Sequence, residues 1–358
     1  MGKLNASARF TSSKITTIAA LSGVCLVAEK DKLHFYSTNL SAYFHTTLKV
    51  TFDGTLRTVV DPKKILEFLN LLPSSGKITL DFQDKQLLIM ADKTRGSFPL
   101  IDFQDFPFPP KITEKFQTIK TKFLSQNLPL VTFSASTYES RAALIGVNFV
   151  SGEDLIMVAT DGFRLSLIRT KKEIEIPSVI IPSNFLLEAL RLIGAAEETR
   201  FGYLKEEKIV VFSAGETELY SRLIEGDFPP YEKVIPSQKV TTATIDREEL
   251  LRGVKIASVF ARDFSNIITL SFKRAGLEIR PKTDGSQENA AFSEALLEGE
   301  EQKIAFNFKF LLDFLNHVDG KKIIVEILRP DAPIVFRTDK YPQFIHIIMP
   351  VRIQEGAN

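Results

Sequence analysis

Three stretches of the chain repeat one arrangement of apolar and polar positions: Asp61 to Leu72, Pro182 to Ile193 and Asn307 to Val318. They align without a gap. Leu66, Leu187 and Leu312 share a column, the acids Glu67, Glu188 and Asp313 follow, and Leu69, Leu190 and Leu315 come next. Apolar residues at i, i+1, i+4 and i+7 lie on one face of an amphipathic helix, and a Pro or Asn near each start suits a helix N-terminus. The leucine columns stand 121 and 125 residues apart, a spacing that fits domains rather than the short units of a solenoid.

The flanks repeat as well. A short β-rich run enters each helix (57–60, 178–181 and 303–306), and strand-like runs follow it: 77–82 and 86–90, then 208–212 and 218–224, then 321–327, 334–336 and 344–348. Ahead of the repeated helix the two later copies predict another, over 122–128 and 246–257, and Asp246 can cap the second of these with Glu248 and Glu249 in its first turn. In the first copy only residues 1–13 hold this place, so a short helix or none is expected there. Proline-stiffened runs, Asp105 to Pro110 and Asp227 to Pro236, close the first two copies, which sets domains at 1–110, 111–236 and 237–358. The middle copy also carries a hairpin pattern. Ile156 and Val158 share a face, Asp161-Gly162 permits a tight reversal, and Leu165 and Leu167 resume the alternation. Taken locally, this is a hairpin with an Asp-Gly turn and no more.

Composition narrows the class without naming a function. A chain of 358 residues, 44% hydrophobic and 25% charged, is that of an ordinary globular protein of two or three α+β domains in which strands dominate. Its 29 Phe serve first as core material in alternating strands. A net charge of +1 excludes a basic nucleic-acid coat, so any nucleic-acid surface must come from local arrangement. The single Cys25 excludes an internal disulfide and a thiol zinc site, which fits a reducing cytoplasm. No apolar run approaches the roughly 18 residues of a membrane span, and the start lacks the apolar core of a signal peptide. Ala6 stands where a myristoylation signal needs Ser or Thr.

Catalytic motifs are missing. There is no Gly-rich phosphate loop, no His-Glu-x-x-His and no paired Cys, and His34, His45, His317 and His346 are scattered, so neither a metal nor a cofactor is expected. Asp161 in Thr-Asp-Gly is conceivable as a nucleophile, but no base is placed near it by any recognisable spacing.

The threefold repeat, the Val158 to Leu165 hairpin, the Leu223 to Pro236 linker and the ending Ile347 to Ile353 together resemble the bacterial sliding clamp family, the β subunit of DNA polymerase III. The resemblance runs from residue 14 to residue 353. It implies an α+β processivity fold of three repeated clamp domains, sheets outside and helices inside, in a ring-shaped head-to-tail homodimer. Such a ring encircles duplex DNA without reading its sequence and has no catalytic centre. It tethers DNA polymerase III alpha and other polymerases, and meets the clamp loader and mismatch-repair and ligase-type proteins. A sliding tether needs loose phosphate contacts from Lys and Arg on rigid elements, not base readout.

The family's partner-peptide pocket maps onto Leu144, Thr160, Gly162, Phe163, Arg164 and Leu165 around the hairpin, Pro229 and Val234 in the linker, Phe310 on the third repeated helix, and Ile347, Ile348, Met349, Pro350, Val351 and Arg352 at the end of the chain. It would take a leucine and an aromatic end of an extended peptide. DNA-facing positions map onto Lys14, Lys63, Arg141 and Lys309; for each lysine a solvated helix-face charge is the competing reading. Phe98 and Leu100, on one side of an apolar strand edge, would meet Val259 and Phe260 of a second copy. Three departures stand out: Phe163 where the family usually has His, Ala142 and Ala143 where some members carry an aromatic pair, and a first helix shorter than the family pattern. Rival readings are a clamp paralogue acting as a decoy or resistance copy, and a β-rich hydrolase built on Asp161.

Overall fold

The computed structural model describes residues 1–13, 17–52, 54–73, 77–113, 115–263, 265–282 and 289–352. In the first repeat α1 (Gly2–Ala8), β1 (Val24–Glu29), β2 (Lys32–Thr38), β3 (Ala42–Lys49) and β4 (Leu56–Val60) precede α2 (Pro62–Leu71), and β5 (Ile78–Gln83), β6 (Gln86–Ala91) and β7 (Thr94–Ile101) follow it. The second runs β8 (Gln117–Lys120), α3 (Thr121–Thr132), β9 (Gly146–Ser151), β10 (Asp154–Thr160), β11 (Arg164–Lys171), β12 (Val179–Pro182), α4 (Ser183–Ile193), β13 (Glu198–Leu204), β14 (Ile209–Ala214) and β15 (Thr217–Arg222). The third runs β16 (Thr241–Asp246), α5 (Arg247–Ala261), β17 (Ile267–Lys273), β18 (Gly276–Pro281), β19 (Ala291–Ser293), β20 (Ala295–Glu298), β21 (Gln302–Asn307), α6 (Phe308–His317), β22 (Lys322–Ile327), β23 (Ile334–Thr338) and β24 (Phe344–Ile348).

The chain divides into two compact units, residues 1–123 with 188–223, and residues 124–187 with 224–358. In the first, eleven strands form one sheet in the order β5-β6-β7-β4-β1-β2-β3-β15-β14-β13-β8. The second holds a nine-stranded sheet, β12-β9-β10-β11-β24-β23-β22-β16-β20, and a four-stranded one, β19-β18-β17-β21. Strands of the second repeat thus complete both large sheets, by β3 pairing β15 in one unit and β11 pairing β24 in the other.

Local chemistry starts the helices where the pattern places them. Asp61 accepts a hydrogen bond from Lys63 N with Pro62 at the first position of α2, and Asn307 accepts from Lys309 N at the start of α6. Asp246 Oδ1 accepts from Glu248 N and Glu249 N at 2.9 and 3.0 Å. Replacing Asp246 by Ala is expected to cost about 1 kcal/mol, read as a lowered urea midpoint with an unchanged slope.

Burial is centred differently from the leucine columns. Ile65, Leu186 and Leu311 are buried, as are Ala189 and Phe314, whereas Leu187 is 47% exposed. At about 100° per residue, positions i and i+3 straddle the centre of the apolar stripe, and the column of Leu66, Leu187 and Leu312 lies on its flank. In the third repeat Phe314 meets Phe336 at 5.5 Å and Phe344 at 6.3 Å between ring centres, and Phe306 meets Phe336 at 5.8 Å. These rings fill the space that a chain without Trp must fill otherwise. Cys25 is wholly buried, and burial pushes its thiol up to about 12.

The first repeat has a short leading helix, one of the two outcomes its spacing allows: the seven residues of α1, whose Leu4 joins a core with Ile65, Val60 and Leu87. At Phe98 the strand is open on one side: β7 pairs β6 over Thr94–Pro99 and β4 only at Leu100 and Ile101, so Phe98 has a ladder partner on one side alone among the described residues; it packs against Phe68, and the sheet ends in β5. Its Ile78 and Leu80 are exposed.

Candidate functional site: a cleft at the hairpin turn

The turn between β10 and β11 is locked by its own side chains. Thr160 Oγ1 donates to the Arg164 carbonyl at 2.6 Å and accepts from Gly162 N at 3.0 Å. Asp161 Oδ1 accepts from Phe163 N and Arg164 N, at 2.9 and 3.0 Å, while its Oδ2 takes Arg164 Nε at 2.9 Å. Both oxygens of Asp161 are therefore committed to the turn. Gly162 has φ +92°, in the left-handed region that favours glycine, and the tip of Arg141 lies close beside it.

Arg164 ties the turn to α6. Its Nη1 donates to Asp313 Oδ2 at 2.5 Å, and its guanidinium lies 5.0 Å from the Phe310 ring centre and 5.8 Å from that of Phe133. A planar cation can serve a carboxylate and aromatic faces at once.

Alternation then builds the cleft. Val158, Leu165 and Ile347 sit on one face of the nine-stranded sheet, with Leu165 opposite Ile347 in the ladder. Over that face runs the linker, whose short 3-10 turn Tyr231–Val234 packs Tyr231 and Val234 onto the same cluster. Between them lies an apolar cleft of about 280 Å³. Of the residues drawn from the sequence, Leu144, Thr160, Gly162, Phe163, Arg164, Leu165, Pro229, Val234, Ile347 and Met349 line it. Phe163 is 62% exposed and stacks against Phe310, 6.3 Å between centres, so that Phe310 reaches the site through that ring rather than lining it. Met349 is 37% exposed and its N–H donates to the Phe163 carbonyl at 2.8 Å.

Other assigned residues stand elsewhere. Ile348 is fully buried, on the side of β24 opposite Ile347; Pro350 and Val351 are half-buried, with Val351 N bonded to the Ala305 carbonyl; Arg352 is exposed. Lys63 and Lys309 are exposed in the first turns of α2 and α6, whereas Lys14 lies outside the described residues. Arg141, drawn from the sequence as a DNA contact, lines the cleft, as do Pro230 and Tyr231, which the sequence reading missed. Burial first, then the charge of Glu232, pushes the Tyr231 hydroxyl up to about 12, so it stays neutral. The signal was present, since an aromatic directly after two prolines in a linker is poised to cover an apolar face. Val259 and Phe260 are exposed on α5, and Phe98 and Leu100 are half-buried in β7.

Behind the turn, His346 is fully buried against Phe314. Its Nδ1 lies 2.8 Å from Ser166 Oγ, and its Nε2 has no partner among the described residues. Burial holds its pKa well below the ordinary value, with the charge of Arg164 acting in the same direction. The unfolded chain therefore takes this proton first. The stability it supports is complete above the unfolded value, about 6.5, and declines as pH falls below it. Denaturation at about pH 7 and about pH 5 is expected to show that loss, with a flatter dependence in His346→Gln.

Among the described residues no group of His, Cys, Asp and Glu is arranged to hold a metal, and no helix is long and apolar enough to cross a membrane. Residues 1–110, 118–230 and 232–352 match the N-terminal, central and C-terminal domains of the DNA polymerase III beta subunit. The beta sliding clamp of Bacillus subtilis is 29% identical over 362 residues, covering 95% of this chain and 94% of that one. The crystal structure of the C. crescentus beta sliding clamp superposes with a TM-score of 0.91 at 25% identity, covering 98% of this chain and 96% of that one. That of the B. subtilis DNA polymerase sliding clamp gives 0.88 at 26% identity, with the same coverage. Three clamp domains in one α+β chain, matched along their whole length, place it in the DNA polymerase III beta subunit family, the beta sliding clamps.

Proposed function

We propose that the chain is a ring-forming processivity clamp that holds polymerases on DNA through the cleft at the hairpin turn. As a beta sliding clamp it is a non-catalytic polymerase subunit and a DNA replication processivity factor, of a family that binds DNA and polymerases. The finer reading is that two copies join head to tail, the domain 237–358 of one against the domain 1–110 of the other, around duplex DNA in the cytoplasm. Lys63, Lys309 and Lys14 would touch phosphates. Arg141 would do so or border the peptide. DNA polymerase III alpha, other polymerases, the clamp loader, and mismatch-repair and ligase-type proteins would dock a leucine and an aromatic side chain in the cleft.

The observation that carries this reading is an apolar cleft open to solvent and framed by a turn whose Thr160 hydroxyl and Asp161 carboxylate are already bonded within it. Such a site has rigid walls and offers burial rather than chemistry, which suits an extended peptide with apolar anchors. Exposed Val259 and Phe260 on α5 support a protein contact there, with Phe98 and Leu100 beside the outer strands of the first sheet. Light scattering at micromolar concentration is expected to give a dimer of the 40.2 kDa chain. A monomer that persists at that concentration would contradict the ring.

A further inference from the structure

Where the first and second repeats join in one sheet, the face opposite α1 carries a chain of polar side chains. His45 on β3 stands opposite Glu218 on β15 and opposite Tyr36 on β2. Its Nδ1 lies 2.9 Å from Glu218 Oε2 and its Nε2 lies 3.0 Å from His34 Nδ1. Tyr220 donates its hydroxyl to the same Glu218 oxygen at 2.9 Å. Tyr36 stacks on His45 at 4.4 Å between centres, nearly parallel. Apolar clusters flank the seam on both sides, one around Cys25 and Val59, the other around Tyr43 and Val211.

Valence fixes the proton positions. An ionised carboxylate only accepts, so His45 Nδ1 carries the proton; its Nε2 is then the acceptor in the neutral ring, and His34 Nδ1 must donate. One added proton can be absorbed without breaking the chain. His45 becomes imidazolium, paired with Glu218, and donates through Nε2 to His34, which shifts its own proton to Nε2. A second proton cannot be absorbed. Two N–H groups and two positive charges would then meet across 3.0 Å.

We propose that the His34–His45–Glu218 chain is a proton-operated latch on the β3–β15 joint, closed with no or one added proton and released by the second. The other groups around it do not replace that logic. Glu29 and Cys25 face it from β1, Lys32 and Tyr36 from β2, Arg57 from β4, Arg200 from β13 and Tyr220 from β15. Glu29 and Arg57 pair with each other at 3.8 Å, Arg200 donates to Ser213, and burial pushes the Tyr36 hydroxyl up to about 12. On the opposite face Lys3 bonds Thr46 Oγ1 and lies 3.9 Å from Glu216.

The direction of the effect follows from the sites. Burial first and the neighbouring His45 second hold the His34 pKa below its ordinary value, and the bond from His45 holds Glu218 below the usual carboxylate range. An opened joint therefore takes the second proton more readily than a closed one, and closure weakens as pH falls below about 6.5. Glu218 would add to the loss only at more acidic pH.

Amide hydrogen exchange of the full-length protein tests this, read as the protection of 42–46 and 217–221 relative to the β1–β2 pairing in the same sheet. Between about pH 7 and about pH 5 the relative protection of the joint is expected to fall about tenfold or more in the wild type. It should stay level in His34→Gln, whose amide can still donate to His45 but cannot take a proton. A level wild-type ratio, or His34→Gln falling in step with the wild type, would overturn the latch. If His34→Gln does not fold, ring-nitrogen NMR of the wild type decides. A shift of the His34 proton from Nδ1 to Nε2 on the first protonation supports the latch, and two independent titrations without it refute it.

Discussion

Replacing Phe314 by alanine is expected to lower stability by about 3–5 kcal/mol, among the largest losses a single truncation can cause in a packed core. The ring is fully buried, stacks on His346 at 4.9 Å, and touches the rings of Phe336 and Phe344. Removing it leaves a cavity and uncovers a buried imidazole that already lacks one partner among the described residues. The same column holds Ala189 in the second repeat, where the side chain is equally buried. Each repeat has packed around its own residue, so equivalence in the alignment does not make alanine tolerable in α6. Urea denaturation measures the loss, and a change below about 1 kcal/mol would mean that the surroundings collapse onto the gap.

Met349→Ala is expected to weaken binding of a leucine-aromatic peptide about tenfold or more while leaving stability within about 0.5 kcal/mol. The separation is possible because Met349 stands at the rim of the cleft, partly in solvent, and its backbone bond to Phe163 survives the change. Leu165→Ala behaves otherwise. That side chain is buried and belongs to the cluster that also holds Tyr231 and Ile347, so it should cost about 2–5 kcal/mol of stability together with affinity. Fluorescence anisotropy with a labelled peptide reads the first effect; unchanged affinity in Met349→Ala would mean that the peptide docks elsewhere.

What could be read before folding was local. The repeated helices fall within a residue or so of their patterned stretches because Asp61 and Asn307 cap two of them and the apolar stripe has the period of a helix, whereas α5, capped by Asp246 as expected, runs on to Ala261, past the predicted 257. The hairpin was equally plain, since alternation and an Asp-Gly turn are adjacent in the chain. What escaped was non-local. His45 and Glu218 are 173 residues apart and meet only because β15 continues the sheet begun by β1 to β4, a pairing that strand patterns do not encode. The family resemblance places Arg141 among the DNA-facing positions; that the short 3-10 turn following it, Ala142–Ile145, also sets it beside Gly162 is not legible in the sequence. Phe98 and Leu100 alternate as an edge strand does, but that β4 joins their strand only at Leu100 and Ile101, with β6 on its other side, is not written in the alternation.

Retention on DNA tests the ring most directly. After loading onto a closed duplex circle, the protein should remain bound through salt that strips it from the same duplex made linear, because phosphate contacts are screened while encirclement is not. Cutting the circle should release it. Equal release from circular and linear DNA at the same salt would contradict a topological clamp, and with peptide binding intact it would mark a copy that keeps the docking cleft without the ring.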